Sequence, residues 1–170
     1  FSDDSTYALG WKFTPSFIWF RYKYNKNNIA NIFFGLSDFE SAYKYSKVSH
    51  DRLTEFNDTI HLPGVKGILA VTLLKLDSIT EGKKNAEQAL KLSKKYKNPV
   101  GLIVSNYSLG EVFIVEEQCD DAIVYFKTSL QLSEQFRQAH FVMLNKVGLL
   151  KAYLINKDYE NAVEIGEQAL

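Results

Sequence analysis

Leu102, Val104, Leu109, Val112, Phe113 and Val115 fall at three- and four-residue spacings, which is the apolar stripe of an amphipathic helix. A short polar turn follows. Ala122, Ile123, Phe126, Ser129, Leu130 and Phe136 then mark a second helix on the same spacing. The pattern predicts a helical hairpin, and the same pattern recurs along the chain.

Displacing the sequence against itself by 40 positions brings like residues together in column after column, the mark of a repeat architecture. Ile29, Leu69, Leu109 and Leu149 align, followed by Ala30, Ala70, Gly110 and Leu150. Phe33, Leu73, Phe113 and Tyr153 come three further on, then Ala42, Gly82, Ala122 and Ala162, then Ser49, Ala89, Ser129 and Ala169. Phe56, Tyr96 and Phe136 close the first three copies, and no insertion or deletion interrupts the register. Small residues in the Ala122 and Ser129 columns let two helices approach closely, while the ring columns fill the space beside them. Helix starts are marked too. Asp38, Ser78 and Asp158 share a capping column, and Ser78-x-x-Glu81 has the form of a capping box. Asn98-Pro99 and Pro63 open the first helices of the third and second copies.

These residues resemble the tetratricopeptide repeats. The third copy carries Leu109, Gly110, Phe113, Ala122, Phe126 and Ser129 at that family's spacings; the first carries the run from Asn28 to Phe34; the fourth carries Asp158, Tyr159, Ala162 and Ala169. The resemblance covers about residues 20–170. The period of 40 departs from the family's usual ~34 and is similar to a longer-helix variety found in signalling and regulatory proteins. The second copy departs further, with Gly82 and Ala86 where Ala and an aromatic are expected. The resemblance implies an all-α, right-handed α-solenoid of four tandem helix-turn-helix units, about 16–57, 58–97, 98–137 and 138–170.

Residues 1–15 form a separate aromatic-rich segment, a candidate remnant of an upstream domain. Two readings compete for the beginning of the chain. Alternation of Tyr7, Leu9, Trp11 and Phe13 has the period of a strand, whereas Thr14-Pro15 opens a helix over 16–35, the length that the other copies require of a first helix. At the other end, Leu170 aligns with Leu130 and Leu90, so the fourth copy stops within a helix. An end repeat without a polar cap exposes the face its neighbour would cover. The expected partners therefore include flanking domains of a larger chain and a second copy meeting the uncapped ends.

Charge changes the picture by exclusion. Twenty basic residues balance twenty acidic ones, without the basic excess of a nucleic-acid binder. The run containing Lys83, Lys84, Lys91, Lys94, Lys95 and Lys97 is interleaved with Glu81 and Glu87 near its start and reads as a solvated helix face. No apolar run approaches the ~20 residues of a membrane span, and the cytoplasm is the default compartment. Cys119 is the one cysteine, which excludes an intramolecular disulfide and a multi-cysteine metal site; Glu117 and Asp120 beside it would weaken it as a nucleophile. His50, His61 and His140 lack metal-site spacing. The acidic residues Glu116, Glu117, Asp120 and Asp121 straddle a helix start, where they meet the helix dipole favourably. The nine glycines are scattered and form no phosphate loop. No catalytic residue, metal or cofactor is expected.

The expected activity is non-enzymatic: recognition of a peptide or partner helix on the concave face lined by the first helices. Tetratricopeptide repeats often hold a ligand backbone with Asn on either side of the Leu-Gly pair, and only the first copy keeps both, as Asn28 and Asn31. An Asn amide donates and accepts together, as an extended peptide requires. The Asn31 column continues as Val71, Glu111 and Lys151, with Asn27, Phe34 and Tyr107 among the residues facing the same way. Glu111 and Lys151 are expected to pair with each other. An alternative is a sensing domain within a transcription regulator, signalling ATPase or sensor kinase.

Overall fold

The computed structural model describes residues 28–168, and within them every regular element is an α-helix. Helix α1 is described over 28–35. It is followed by α2 (Phe39–Glu55), α3 (Leu62–Lys75), α4 (Ile79–Lys95), α5 (Pro99–Val115), α6 (Cys119–Gln135), α7 (Ala139–Ile155) and α8 (Tyr159–Glu167). The aromatic segment 1–15, residues 16–27 of the helix expected over 16–35 and the alignment of Leu170 lie outside the described residues.

The helices end in one way. Ser37, Asn57, Asp77, Lys97, Glu117, Arg137 and Lys157 all have positive φ, at intervals of twenty residues, and none is glycine. Immediately after each, an amide donates to the carbonyl five residues back. Asp38 to Phe33, Asn98 to Ser93, Gln118 to Phe113 and Asp158 to Tyr153 are each 2.9 Å, and Gln138 to Ser133 is 2.7 Å. This is the Schellman closure, which satisfies carbonyls left orphaned at a helix end. In six of the seven turns the donating residue also precedes the first residue of the next helix, so one short segment ends one helix and starts another. Asp38, Asn98 and Asp158 accept from Ser41, Gly101 and Asn161 as N-caps at 3.0, 2.9 and 3.3 Å. Ser78 differs from expectation. It makes no side-chain cap bond, because its hydroxyl turns back toward the Leu76 carbonyl at 3.5 Å. Between α2 and α3 the link is longer, and the Asp58 carboxylate accepts from the Ile60 and His61 amides at 3.1 and 2.9 Å. Pro63 then sits in the first turn of α3.

Consecutive helices pack against one another from α2 to α8. In addition α3 packs on α5 and α5 on α7, whereas α2, α4, α6 and α8 do not touch each other. The odd-numbered helices α3, α5 and α7 thus form one layer and the even-numbered helices the other.

Glycines set the closest approach between the layers. Phe126 of α6 is fully buried, and a Cβ added to Gly110 of α5 or to Gly148 of α7 would lie 2.6 Å from its ring. One ring is therefore seated against two glycines on two neighbouring helices. Forty residues earlier the corresponding positions are Ala86, Ala70 and Ser108, with Ala70 and Ala86 in one apolar cluster. A small residue at the ring position goes with larger residues at the glycine positions. The departure of Gly82 from the expected Ala also has a local reason, since a Cβ there would lie 3.0 Å from both the Ala70 carbonyl and Leu74.

Gly148→Ala is expected to destabilise the chain by about 1–3 kcal/mol through overpacking, despite the ~1 kcal/mol by which Ala favours a helix over Gly. Adding Phe126→Leu should recover part of that loss, and a denaturant-unfolding double-mutant cycle measures both. Arg137→Gly should raise stability by about 0.5–1 kcal/mol by relieving the left-handed strain, and Arg137→Val should lower it.

Candidate functional site

The residues singled out in the sequence occupy two environments. Asn27 lies outside the described residues. Asn28 and Asn31 are exposed on α1, and Lys151 is exposed on α7. Phe34 is half-buried, its ring 5.5 Å from that of Phe39 in an edge arrangement. Tyr107 and Glu111 are interior, each only 7% exposed. The Tyr107 ring lies 6.0 Å from Phe126 and 5.9 Å from Phe141. The column expected to line a groove therefore runs through buried Val71 and buried Glu111 before it emerges at Lys151. The reason is the packing of α3 on α5 and of α5 on α7, which covers this face of α3 and α5. Glu111 and Lys151 are not ion-paired; the Glu111 carboxylate accompanies the Tyr107 hydroxyl instead. Burial first, then the charge and hydrogen bond of Glu111, push that hydroxyl far above the usual phenol range.

A cavity of about 400 Å³ opens beside Asn31. Its wall is assembled from distant parts of the chain: Ser49 and Leu53 of α2, Ile60 and His61 of the following turn, Gly64, Val65 and Ile68 of α3, Val100, Gly101 and Val104 of α5, and Phe141 of α7. Asn98 holds two sides of it together. Its amide nitrogen donates to the Ile60 carbonyl at 2.5 Å while its oxygen accepts from Gly101. Ser49 is buried and its hydroxyl makes no hydrogen bond. A Cβ on Gly64 would meet nothing within 4 Å. Of the described residues marked in the sequence as candidates, only Asn31 lines this cavity. A signal was present: Gly64 stands in the column of Val104 and Leu144, so one copy lacks a side chain that two others have.

The charged residues that drew attention are engaged structurally. Lys83 donates to Glu116 at 2.8 Å, with its ammonium 5.5 Å from the centre of the Phe113 ring. The Asp120 carboxylate accepts from the Asn156 amide at 2.8 Å. Cys119 is buried, and burial, with Asp120 and Glu117 adding to it, raises its thiol above the usual value, which suppresses the nucleophilic thiolate. Among the described residues no group of three or more His, Cys, Asp or Glu could hold a metal. No described helix is long and apolar enough to cross a membrane.

No known protein-family model matches the chain, and no curated protein matches its sequence.

A phenol whose pKa is raised on folding contributes stability that is present below its unfolded value, near pH ~10, and is lost as pH rises through the folded value. Tyr107→Phe should change stability little near neutral pH, where the phenol is uncharged in both states. It should also flatten the decline in stability above pH ~10; urea unfolding across that range measures both.

Proposed function

We propose that the chain is a right-handed α-solenoid of four 40-residue helical-hairpin repeats of the tetratricopeptide type, and that it works as a non-enzymatic protein-interaction domain. The even spacing of the helix-ending turns and the two-layer packing support the architecture. The observation that carries the function is the exposed face of α7. Met143, Val147 and Leu154 stand out to solvent there beside Lys151. In the preceding copy Ile103, Tyr107 and Glu111 occupy the equivalent positions and are covered. An apolar strip of this kind with one positive charge suits an amphipathic helix or extended segment that carries an acidic residue. Asn28 and Asn31 offer a second polar contact at the other end of the array, where they can pair with a peptide backbone.

A sensing role within a larger regulator is the second reading. The cavity favours it, because its wall draws on α1, α2, α3, α5 and α7, and filling it would alter how hairpins sit on one another.

Panning a random peptide display library tests the first reading. The unaltered chain should enrich a motif with spaced apolar residues and an acid. The Val147→Ser/Lys151→Ala variant should lose it, with Asn28→Ala/Asn31→Ala weakening it. Enrichment that survives both variants, or no enriched motif at all, contradicts the reading.

A further inference from the structure

We propose that the cavity beside α1 is a binding site for an uncharged, mainly apolar small molecule that carries a hydrogen-bonding carbonyl or hydroxyl. The size fits: pockets that enclose small molecules run from ~300 to ~1,000 Å³, with apolar walls and a few polar groups that fix orientation. Leu53, Val65, Ile68, Val104 and Phe141 supply apolar wall, and no described Lys, Arg, Asp or Glu lines it. Among the described lining residues a charged ligand would find no counter-charge on leaving water, which is strongly unfavourable. The one titratable residue in the described lining, His61, has its Nδ1 3.0 Å from the Asp58 carboxylate.

The polar requirement has its own observation. Ser49 is 4% exposed, lines the cavity and leaves its hydroxyl without a partner. Ser46 on the same helix is likewise without a partner but is not among the described residues that line the cavity; the remaining buried serines are bonded. Ser93, Ser105, Ser108 and Ser133 each donate to the carbonyl four residues back at 2.7 Å, and Ser129 donates across to the Ile103 carbonyl at 2.8 Å. A buried hydroxyl left unsatisfied costs free energy that a ligand carbonyl or hydroxyl recovers. The Asn31 amide, exposed at the edge, offers a second polar contact. Space is available as well, since Gly64 withholds the side chain that its column carries in Val104 and Leu144. A molecule seated here touches several helices at once, so its binding stiffens the array.

Nile red, an uncharged dye with a ring carbonyl, is the probe. Its emission should rise saturably with one site per chain. Gly64→Leu fills the cavity from α3 and should weaken binding by at least about tenfold, the effect of ~1.4 kcal/mol. Gly35→Leu adds the same side chain at a glycine with equally open surroundings but outside the cavity, and should leave binding unchanged. Ser49→Ala should weaken it by about three- to tenfold, the range of one hydrogen bond. Circular dichroism checks the helicity of each variant, and Ile68→Trp provides a second plug if Gly64→Leu loses helix. Equal affinity in a folded plugged variant, equal loss in Gly35→Leu, or no saturable emission from the unaltered chain would overturn the proposal. The peptide-panning result depends on α7 and α1 surface residues and is unaffected by Gly64→Leu if only the interaction reading holds.

Discussion

The seating of Phe126 between Gly110 and Gly148 is the contact on which the rest of the packing depends. A ring from the even layer reaches the odd layer where α5 and α7 come together, and it can do so only because neither backbone carries a Cβ in its way. Tyr107 and Phe141 extend the same aromatic contact along the odd layer. At the aligned positions elsewhere in the chain the bulk is distributed differently. Forty residues before Phe126, Gly110 and Gly148 stand Ala86, Ala70 and Ser108, with Ala70 and Ala86 in one apolar cluster, and forty residues after Phe126 stands Gly166 with Leu150 near it. Close-packed interiors tolerate exchanges that keep volume and resist those that do not. A helical array can therefore accept large changes within a column as long as the facing columns change in the opposite sense.

Close approach also demands that polar groups be satisfied within the helices. Ser93, Ser105, Ser108 and Ser133 meet that demand by donating to the preceding turn of their own helix. Ser108 does more, since its hydroxyl lies 2.9 Å from the Gly67 carbonyl as well and links α5 to α3. Gly67 is tight for the same reason: a Cβ there would lie 2.6 Å from Val104. Small polar residues thus act as spacers that add hydrogen bonds across the interface. Identical left-handed turns then reset the chain direction at even intervals. Their strain, on the order of 1 kcal/mol each, is offset by the carbonyls that the Schellman bonds satisfy.

Much of this was legible in the residues, for physical reasons that differ from place to place. Asn98-Pro99 and Pro63 marked helix starts because a cap acceptor and a fixed φ act locally. Asp38 and Asp158 did so for the same reason. Ser78 also stands immediately before its helix, but it makes no side-chain cap bond, because a hydroxyl, unlike a carboxylate, can donate, and it turned to a carbonyl behind it. The helix-ending turns carried no glycine to announce them; Lys97, Glu117 and Arg137 adopt positive φ because the packed helices on either side require it. Burial of Tyr107 and Glu111 was hidden for another reason. A column shows which way a side chain faces, but only the closeness of α3 to α5 and of α5 to α7 decides whether that face is open. The cavity lay furthest from the sequence signal, since its wall combines five helices and a turn, and Gly64 alone hinted at the missing volume.

Junction and surface are linked. Glu111 is buried on α5 whereas Lys151 is exposed on α7, and the proposed partner surface lies on α7. Native-state hydrogen exchange followed by mass spectrometry tests most directly whether the Phe126 junction holds the array together. Amides of α5, α6 and the adjoining half of α7 should exchange slowest, with protection falling toward α2 and α8, as expected for elements with fewer buried neighbours. Protection in α2 or α8 equal to or greater than that around Phe126 would contradict the account.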